Sequence, residues 1–475
     1  MARPSPLEYR APPAMTRPLS LRAELAQLLR LAAPLALTQL GQALMGVVDV
    51  AVLGRAGRVM LGGAGLGNAL FFSIAILGMG VMHGFDPLAS QAVGAGDLAR
   101  ANRLVWQSLW LALFLSAALV GPIALAPSLL SPLGVGEAVA REAGRFLHFR
   151  LLGLPLFFLY FGPRSYLQAR GALRPMVIAV VLANAANLGL DLLLVFGGSS
   201  LPAFAGPLRA IPALGVVGAA NASNVASLIQ LAVLGLAVRS GSPLPHGPAF
   251  PRPDLGELRL ALKVGVPAGL HMFAEVSFFG LASILAGRLG ELPLSAHQIA
   301  LQVASLTFTV AVGIGNAGSV RVGLAVGARD GPAVRRAGLA ALLGGGAFMA
   351  LSATALFLFP RFVAELLTDD PDIVRAAVPL LRIAAIFQLS DGLQGVAAGI
   401  LRGAGETRFT FKTNMVAYWV VGLPLTLLLA FRMGLGVAGM WTAFVVSLAL
   451  VAVSLSWRFA HLSSRQIAPL AEAAL

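Results

Sequence analysis

The 475 residues are 58% hydrophobic and only 11% charged, with a mean hydropathy of +0.84. A soluble chain carries about 25% charged residues, so a soluble globular class is excluded. The absence of cysteine excludes disulfides, zinc–thiolate sites and thiol nucleophiles. The net charge of +14 rests on arginines in short loops between apolar runs. There they act as topology determinants, and no nucleic-acid partner is expected.

Residues 1–27 are a Pro- and Arg-rich tail without the apolar core of a cleavable signal peptide. It ends in an amphipathic stretch that suits an interfacial helix. Twelve apolar runs follow, at about 28–53, 62–93, 104–128, 143–168, 175–198, 214–238, 260–287, 295–326, 337–360, 375–400, 409–431 and 435–457. Each is long enough to cross about 30 Å of hydrocarbon at about 1.5 Å per residue. Five prolines between Ser240 and Asp254 interrupt the series. The expected organisation is an N-lobe at 28–239, a linker at 240–257, a C-lobe at 258–460 and a tail at 461–475.

The chain repeats itself at an offset of 233 residues. Pro34 meets Pro267, Gly54 meets Gly287, Arg55 meets Arg288, Gly94 meets Gly327, Asp97 meets Asp330 and Arg103 meets Arg336. After a one-residue slip, Arg150 meets Arg382 and Arg170 meets Arg402. Six spans per unit is an even number, so both copies enter from the same side. The predicted fold is an all-α polytopic membrane protein. Its 12 transmembrane helices form two six-helix lobes related by a pseudo-twofold axis along the membrane normal.

Enzyme signatures are missing. Neither lysine, Lys263 or Lys412, follows a glycine as a phosphate-binding loop requires. The histidines show no metal spacing, and no GxSxG occurs. Gly94-Ala95-Gly96-Asp97, with Asp86 upstream, imitates an intramembrane aspartyl protease. However, both aspartates lie on one span and its trailing loop, and Gly327-Ala328-Arg329-Asp330 copies the turn. An enzyme is not expected.

Four acids lie inside the apolar runs: Asp49, Asp191, Glu275 and Asp391. Each costs about 2.5–3.5 kcal/mol on insertion scales, so something must offset it. The repeat aligns them with Ala282, Leu423, Gln42 and Leu159 respectively. Glycines and loop arginines are shared between copies while the acids are individual, as expected of a site rather than a scaffold. Each acid has polar neighbours at helical spacing. Gln39, Gln42 and Asp49 share a stripe, as do Asn184, Asn187 and Asp191. His271 lies one turn before Glu275, with Phe278 and Phe279 after it, and Phe387 and Gln388 precede Asp391. Gln298, Gln302, Asn414 and Tyr418 lie on neighbouring spans. Interhelical hydrogen bonding, at about 0.6 kcal/mol each, accounts for many of the amides and serines. It does not account for carboxylates, because an amide would serve without the charge.

Three stretches resemble the multidrug and toxic compound extrusion (MATE) family: LAAPLALTQLGQALMGVVDVAVLGRAG, AEVSFFGLASILAGRLGELPLSAHQIALQ and FQLSDGLQGVAAGILRGAGETR. The resemblance runs from about 25 to 460. It implies export of organic cationic drugs by alternating access, driven by Na⁺ or H⁺, without a cofactor, and a monomer is expected. The family's acids match Asp49, Glu275 and Asp391, and Glu275 with Asp391 are the candidate ligands of a sodium ion. The first lobe's Asn187 and Asp191 resemble a proton site of the DinF-like branch, whereas the second lobe resembles the NorM-like branch. These five residues are the expected cation-coupling set. Gln42, Asn184, Phe278, Gln298, Phe387, Gln388 and Tyr418 are the expected substrate-cleft residues. A lipid or polysaccharide flippase of the same superfamily is the alternative, and it would favour a cationic cavity.

The loops carrying Arg100, Arg103, Arg170, Arg174, Arg239, Arg335, Arg336, Arg402 and Arg408 are richer in cations than those opposite, and both termini lie on the same side as these loops. That side is expected to be cytoplasmic at the inner membrane. A cysteine introduced by Ser242→Cys should therefore resist an impermeant thiol reagent in intact cells, while Ser131→Cys should react. Equal labelling would overturn the orientation.

Overall fold

The computed structural model describes residues 20–200, 203–241 and 251–472. The first 19 residues of the expected tail, residues 242–250 of the expected linker and the last three residues lie outside the described residues. Among the described residues there are twelve helices long and apolar enough to cross a membrane. They are α1 (Leu21–Ala56), α2 (Arg58–Gly94), α3 (Leu98–Leu129), α4 (Glu137–Ala169), α5 (Arg174–Phe196), α6 (Val216–Ser240), α7 (Leu255–Arg288), α8 (Glu291–Gly327), α9 (Gly331–Leu358), α10 (Pro371–Gly403), α11 (Arg408–Arg432) and α12 (Gly436–Ser463).

Each helix overlaps one predicted run, and most extend past it by a turn of polar residues. Capping explains two of the extensions, those of α9 and α10. Asp330 Oδ1 accepts from the Ala333 amide at 2.8 Å, and Asp370 Oδ1 accepts from the Asp372 amide at 2.8 Å. Proline follows in the first turn of both helices, where its missing N–H costs nothing. Hydropathy alone does not see these first turns. It also does not see that α11 winds in wide π-turns over Met415–Gly422 and Leu428–Arg432, on either side of Pro424. Such turns re-aim side chains and are common at functional sites.

Packing divides the chain into two compact units. Unit 1 contains Leu40–Phe85 and Leu98–Ala261; unit 2 contains Asp86–Asp97, Leu262–Leu475 and α1 as far as Gln39. In unit 1, Gly63 and Gly67 of α2 lie against α4, where a Cβ on Gly67 would fall 3.0 Å from the Ala143 carbonyl oxygen. These two glycines thus serve helix packing. Val52, Leu53, Ala64, Phe146, Val195 and Val217 form a core beside it. The described end of the linker is tied to α3. Gln107 Nε2 donates to the Arg252 carbonyl at 3.1 Å, its Oε1 accepts from the Asp254 amide at 2.7 Å, and Arg100 grips Glu257 with two bonds of 2.6 and 2.8 Å.

In unit 2, α8 and α10 touch backbone to backbone. A Cβ on Gly399 would lie 2.4 Å from the Gly315 carbonyl oxygen, and one on Gly403 2.3 Å from that of Ser319. The repeat register reappears in one reciprocal contact: Gly94 abuts the Leu324 carbonyl and Gly327 abuts the Gln91 carbonyl. Both pairs are related by the same 233-residue offset. The start of α1 is fixed here by a buried bidentate pair, Arg321 with Glu24, with both bonds at 2.8 Å.

Gly399→Ala is expected to destabilise the protein by about 1–3 kcal/mol, because the added methyl has only backbone to displace. Gly280→Ala meets nothing within 4 Å and should be neutral or stabilising by up to about 1 kcal/mol. Thermal unfolding in detergent micelles distinguishes the two. Equal midpoints would show that the α8–α10 contact is not tight.

Candidate functional site

Each unit encloses one pair of the intramembrane acids. In unit 1, Asp49 of α1 faces the Asp191 and Asn187 side chains of α5. Helical spacing sets this up, because Asn187 and Asp191 are four apart and both are fully buried. Ser223 of α6 donates to Asp49 Oδ2 at 3.2 Å. Asp49 Oδ1, both Asp191 oxygens and both polar atoms of the Asn187 amide are buried with no hydrogen bond from the protein's own groups.

Arg150 of α4 is the residue that sequence reasoning missed. The residue is 6% exposed, and its guanidinium lies 4.6 Å from the centre of the Phe71 ring and donates to Asn224 Oδ1 at 2.8 Å. It is also close enough to Asp49 to attract it. The register pairs it with Arg382, whose side chain is exposed, so it passed as a shared structural arginine. Its position well inside the fourth apolar run was the available signal. The expected cleft residues of this unit are held locally. Gln42 Nε2 donates to Tyr160 Oη at 3.3 Å, and Asn184 Nδ2 donates to the Gly41 and Val180 carbonyls, both at 2.9 Å. Both remain partly exposed.

In unit 2, Glu275 of α7 is the hub. Its Oε1 accepts from Gln394 Nε2 at 2.9 Å and from Tyr418 Oη at 3.3 Å, and its Oε2 lies 3.4 Å from His271 Nε2. Asp391 of α10 lies beside Glu275 and shares the Gln394 amide with it. The structure therefore brings Glu275, Asp391 and Tyr418 together. Phe278 stacks on Tyr418 at 5.1 Å with an interplanar angle of 13°, and Phe279 meets Phe387 edge-on at 6.2 Å. Gln388 is fully buried, and its Oε1 accepts from Thr307 at 3.0 Å and Ser352 at 3.3 Å. Gln298 stands apart from this cluster on an exposed face of α8. Its neighbour His297 is a core residue: Nδ1 accepts from Trp441 Nε1 at 3.2 Å, which directs its N–H to Ser283 Oγ at 3.2 Å.

The aspartates of the protease-like motif serve other ends. Asp86 is buried in unit 2 and lies 3.8 Å from Arg402. Asp97 sits in the turn that closes α2, where its amide bonds the Ala92 carbonyl at 2.9 Å.

A helical membrane protein with buried acids in each of two units belongs to the class of transporters. Comparison with known proteins gives the family. The MatE family model matches residues 34–193 and 267–428, and these two matches begin 233 residues apart, on the repeat offset. The chain is 34% identical to "Probable multidrug resistance protein NorM" of Rhizobium meliloti (strain 1021), over 92% of this chain and 93% of the relative. It is 32% identical to "Multidrug resistance protein PmpM" of Pseudomonas aeruginosa, over 95% of this chain and 94% of the relative. The crystal structure of the eukaryotic MATE transporter AtDTX14 superposes with a TM-score of 0.84 at 22% identity, covering 96% of this chain and all of that one. The chain belongs to the MatE family: it is a multi-pass membrane transporter and not an enzyme.

The hub predicts an order of costs. Tyr418→Phe keeps the stack on Phe278 and removes one donor from Glu275, a loss of about 1.5 kcal/mol for a bond to a charged group. Phe278→Ala should cost more, about 3–5 kcal/mol, because it opens a cavity among the Phe279, Tyr418 and Phe444 rings. Thermal unfolding of the two purified variants checks the order, and the reverse order would displace Phe278 from the core.

Proposed function

We propose that the chain is a cation-coupled antiporter that exports organic cationic drugs by alternating access. Inward movement of H⁺ or Na⁺ to the buried carboxylates drives export. On this reading the protein sits in the inner membrane with both termini cytoplasmic, and it needs no cofactor. The observation that carries the proposal is the pair of acids enclosed in each unit. A carboxylate in hydrocarbon is retained where its charge is used, and a proton or an alkali cation is the smallest partner that neutralises it. The similarity to relatives named multidrug resistance proteins supports organic cations as the cargo. Phe279, packed against the core rings Phe278, Phe387 and Tyr418, is itself partly exposed and offers a π-face of the kind that attracts cations. The acidity of both clusters disfavours a flippase, whose phosphate-bearing cargo calls for cations.

The energetics suffice. One charge crossing about 100 mV supplies about 2.3 kcal/mol, and one pH unit supplies about 1.36 kcal/mol. Exchange of one coupling ion for one monovalent drug moves no net charge, so the pH term alone supports about a tenfold gradient, and a second coupling ion per drug adds both terms.

Glu275→Gln and Asp391→Asn keep side-chain shape and remove charge. Each is expected to abolish gradient-driven ethidium transport in proteoliposomes while the protein still folds and inserts. Asp49→Asn should weaken proton-driven transport and flatten its pH dependence, and Asp191→Asn should do so more mildly. Wild-type transport by the first two variants would remove unit 2 from the coupling. If the last two follow the wild-type pH curve, the unit 1 acids are structural.

A further inference from the structure

The end of α2 is fastened differently from the rest of that helix. α2 breaks at His83–Gly84, where the Gly84 amide bonds back to the Val81 carbonyl at 3.0 Å. The packing division falls just beyond the break: Phe85 belongs to unit 1 and Asp86–Asp97 to unit 2. Within unit 2 this segment lies against α8. A Cβ on Gly323 would fall 2.6 Å from Ser90 Cβ, and one on Gly327 2.0 Å from the Gln91 carbonyl oxygen. Gln91 is buried, and both ends of its amide are used. Nε2 donates to the Gly403 carbonyl of α10 at 3.1 Å, and Oε1 accepts from the Leu470 amide at 2.8 Å. The repeat puts Leu324 at the position of Gln91. This side-chain amide is therefore individual to one copy, as the intramembrane acids are.

Leu470 lies in the tail that follows α12. Gln466, Ala468 and Glu472 of that tail are exposed, whereas Leu470 is buried. Its side chain fills the space beside Gly405, whose φ of +83° disfavours any other residue; a Cβ there would fall 2.7 Å from Leu470 Cδ2. The Pro469 carbonyl accepts from the Glu472 amide at 3.0 Å. That turn presents Glu472 to Arg329 in the loop after α8, and both members of the ion pair are exposed. Such a pair contributes little and weakens with salt. A buried side chain, a backbone amide and an exposed ion pair make a hold that local opening can release. Water can then take the place of the Leu470 amide at Gln91 Oε1. α1 also passes from one unit to the other, but its unit 2 half is held by the buried Glu24–Arg321 pair. Breaking that pair would strand two charges, so α1 has a permanent anchor and the end of α2 a removable one.

We propose that residues 466–472 are a releasable strap over the end of α2, and that the strap lifts during the transport cycle. Seated, it fixes Asp86–Gly94 against α8 and α10. Lifted, it frees the segment to turn at His83–Gly84. The hold stands on the contacts alone. The lifting step rests on the antiporter reading above, because alternating access requires segments that pass between packing units to bend or to exchange partners.

Two measurements on the full-length protein in lipid test this. The first is hydrogen exchange of the Asp86–Gly94 amides. Leu470→Asp, which puts a charge beside Gly405, should speed their exchange about tenfold, and Leu470→Ala should do so more mildly. Exchange in α12 should stay at the wild-type rate, which shows that the fold is intact. Unchanged exchange at Asp86–Gly94 in both variants overturns the proposal, and so does a rise throughout the protein, which would make the tail part of the core. The second measurement locks the strap. The chain has no cysteine, so Arg329→Cys with Glu472→Cys places a unique thiol pair where the ion pair stood. A short bifunctional methanethiosulfonate bridges the two thiols. Ethidium transport in proteoliposomes under an imposed proton or Na⁺ gradient should fall about tenfold on bridging and return on reduction. Equal transport before and after bridging overturns the lifting step. A wild type that transports under neither gradient would sink the antiporter reading, and the exchange measurement would still decide the strap.

Discussion

A carboxylate in hydrocarbon has nothing to bind except the protein around it, and this constraint orders the rest of the structure. Glu275 meets it with donors on both oxygens, from Gln394, Tyr418 and His271. Those donors come from α7, α10 and α11, so the helices must be registered against one another to within a hydrogen-bond length. The close glycine packing of α8 on α10 sets that register for one of them. The π-turns of α11 begin one residue after Asn414 and contain Tyr418, and Asn414 and Tyr418 are the two α11 residues that reach the His271–Glu275 pair. Backbone irregularity and buried charge therefore occur at the same level of the same unit.

The duplication shows what the fold needs and what the site needs. Gly94 and Gly327 repeat because each lets a helix end approach a carbonyl that no side chain would admit. The acids do not repeat, and neither does the environment of an arginine that does. Arg150 is buried over Phe71 near Asp49, whereas Arg382 at the matching position is exposed. Matching arginines are thus an internal cation in one copy and an exposed residue in the other.

Much of this was legible in the sequence, because apolar runs and charges inside them are local signals. The twelve spans, the four intramembrane acids and the 233-residue register all follow from composition and spacing. What was not legible depends on contacts between residues far apart in the chain. Gln42 finds Tyr160, Asp49 finds Ser223, and both His271 and Glu275 find partners 143 residues further on, in Asn414 and Tyr418. Helical spacing says which residues share a face but not which face meets which. The packing division was equally hidden, because α1 is one unbroken helix whose first half packs within unit 2 through Glu24 and whose second half carries Asp49 in unit 1.

The two acid pairs are not equivalent electrostatically. Unit 1 sets Asp49 and Asp191 beside Arg150, a formal charge of about −1 if both acids are ionised, and leaves several polar atoms of Asp49, Asp191 and Asn187 without partners. Unit 2 sets Glu275 and Asp391 together, a formal charge of about −2, with Arg402 engaged elsewhere by Asn316 and Asp86. Charges this close in a medium of low dielectric interact by several kcal/mol. The resident cation of unit 1 offsets part of the charge of its acids, and Glu275 has no such cation beside it among the described residues. Neutral donors crowd Glu275, whereas Asp49 has the Arg150 cation nearby as well as the Ser223, Asn187 and Asp191 side chains: where no fixed cation stands beside a buried carboxylate, neutral hydrogen bonds must do more of the stabilising.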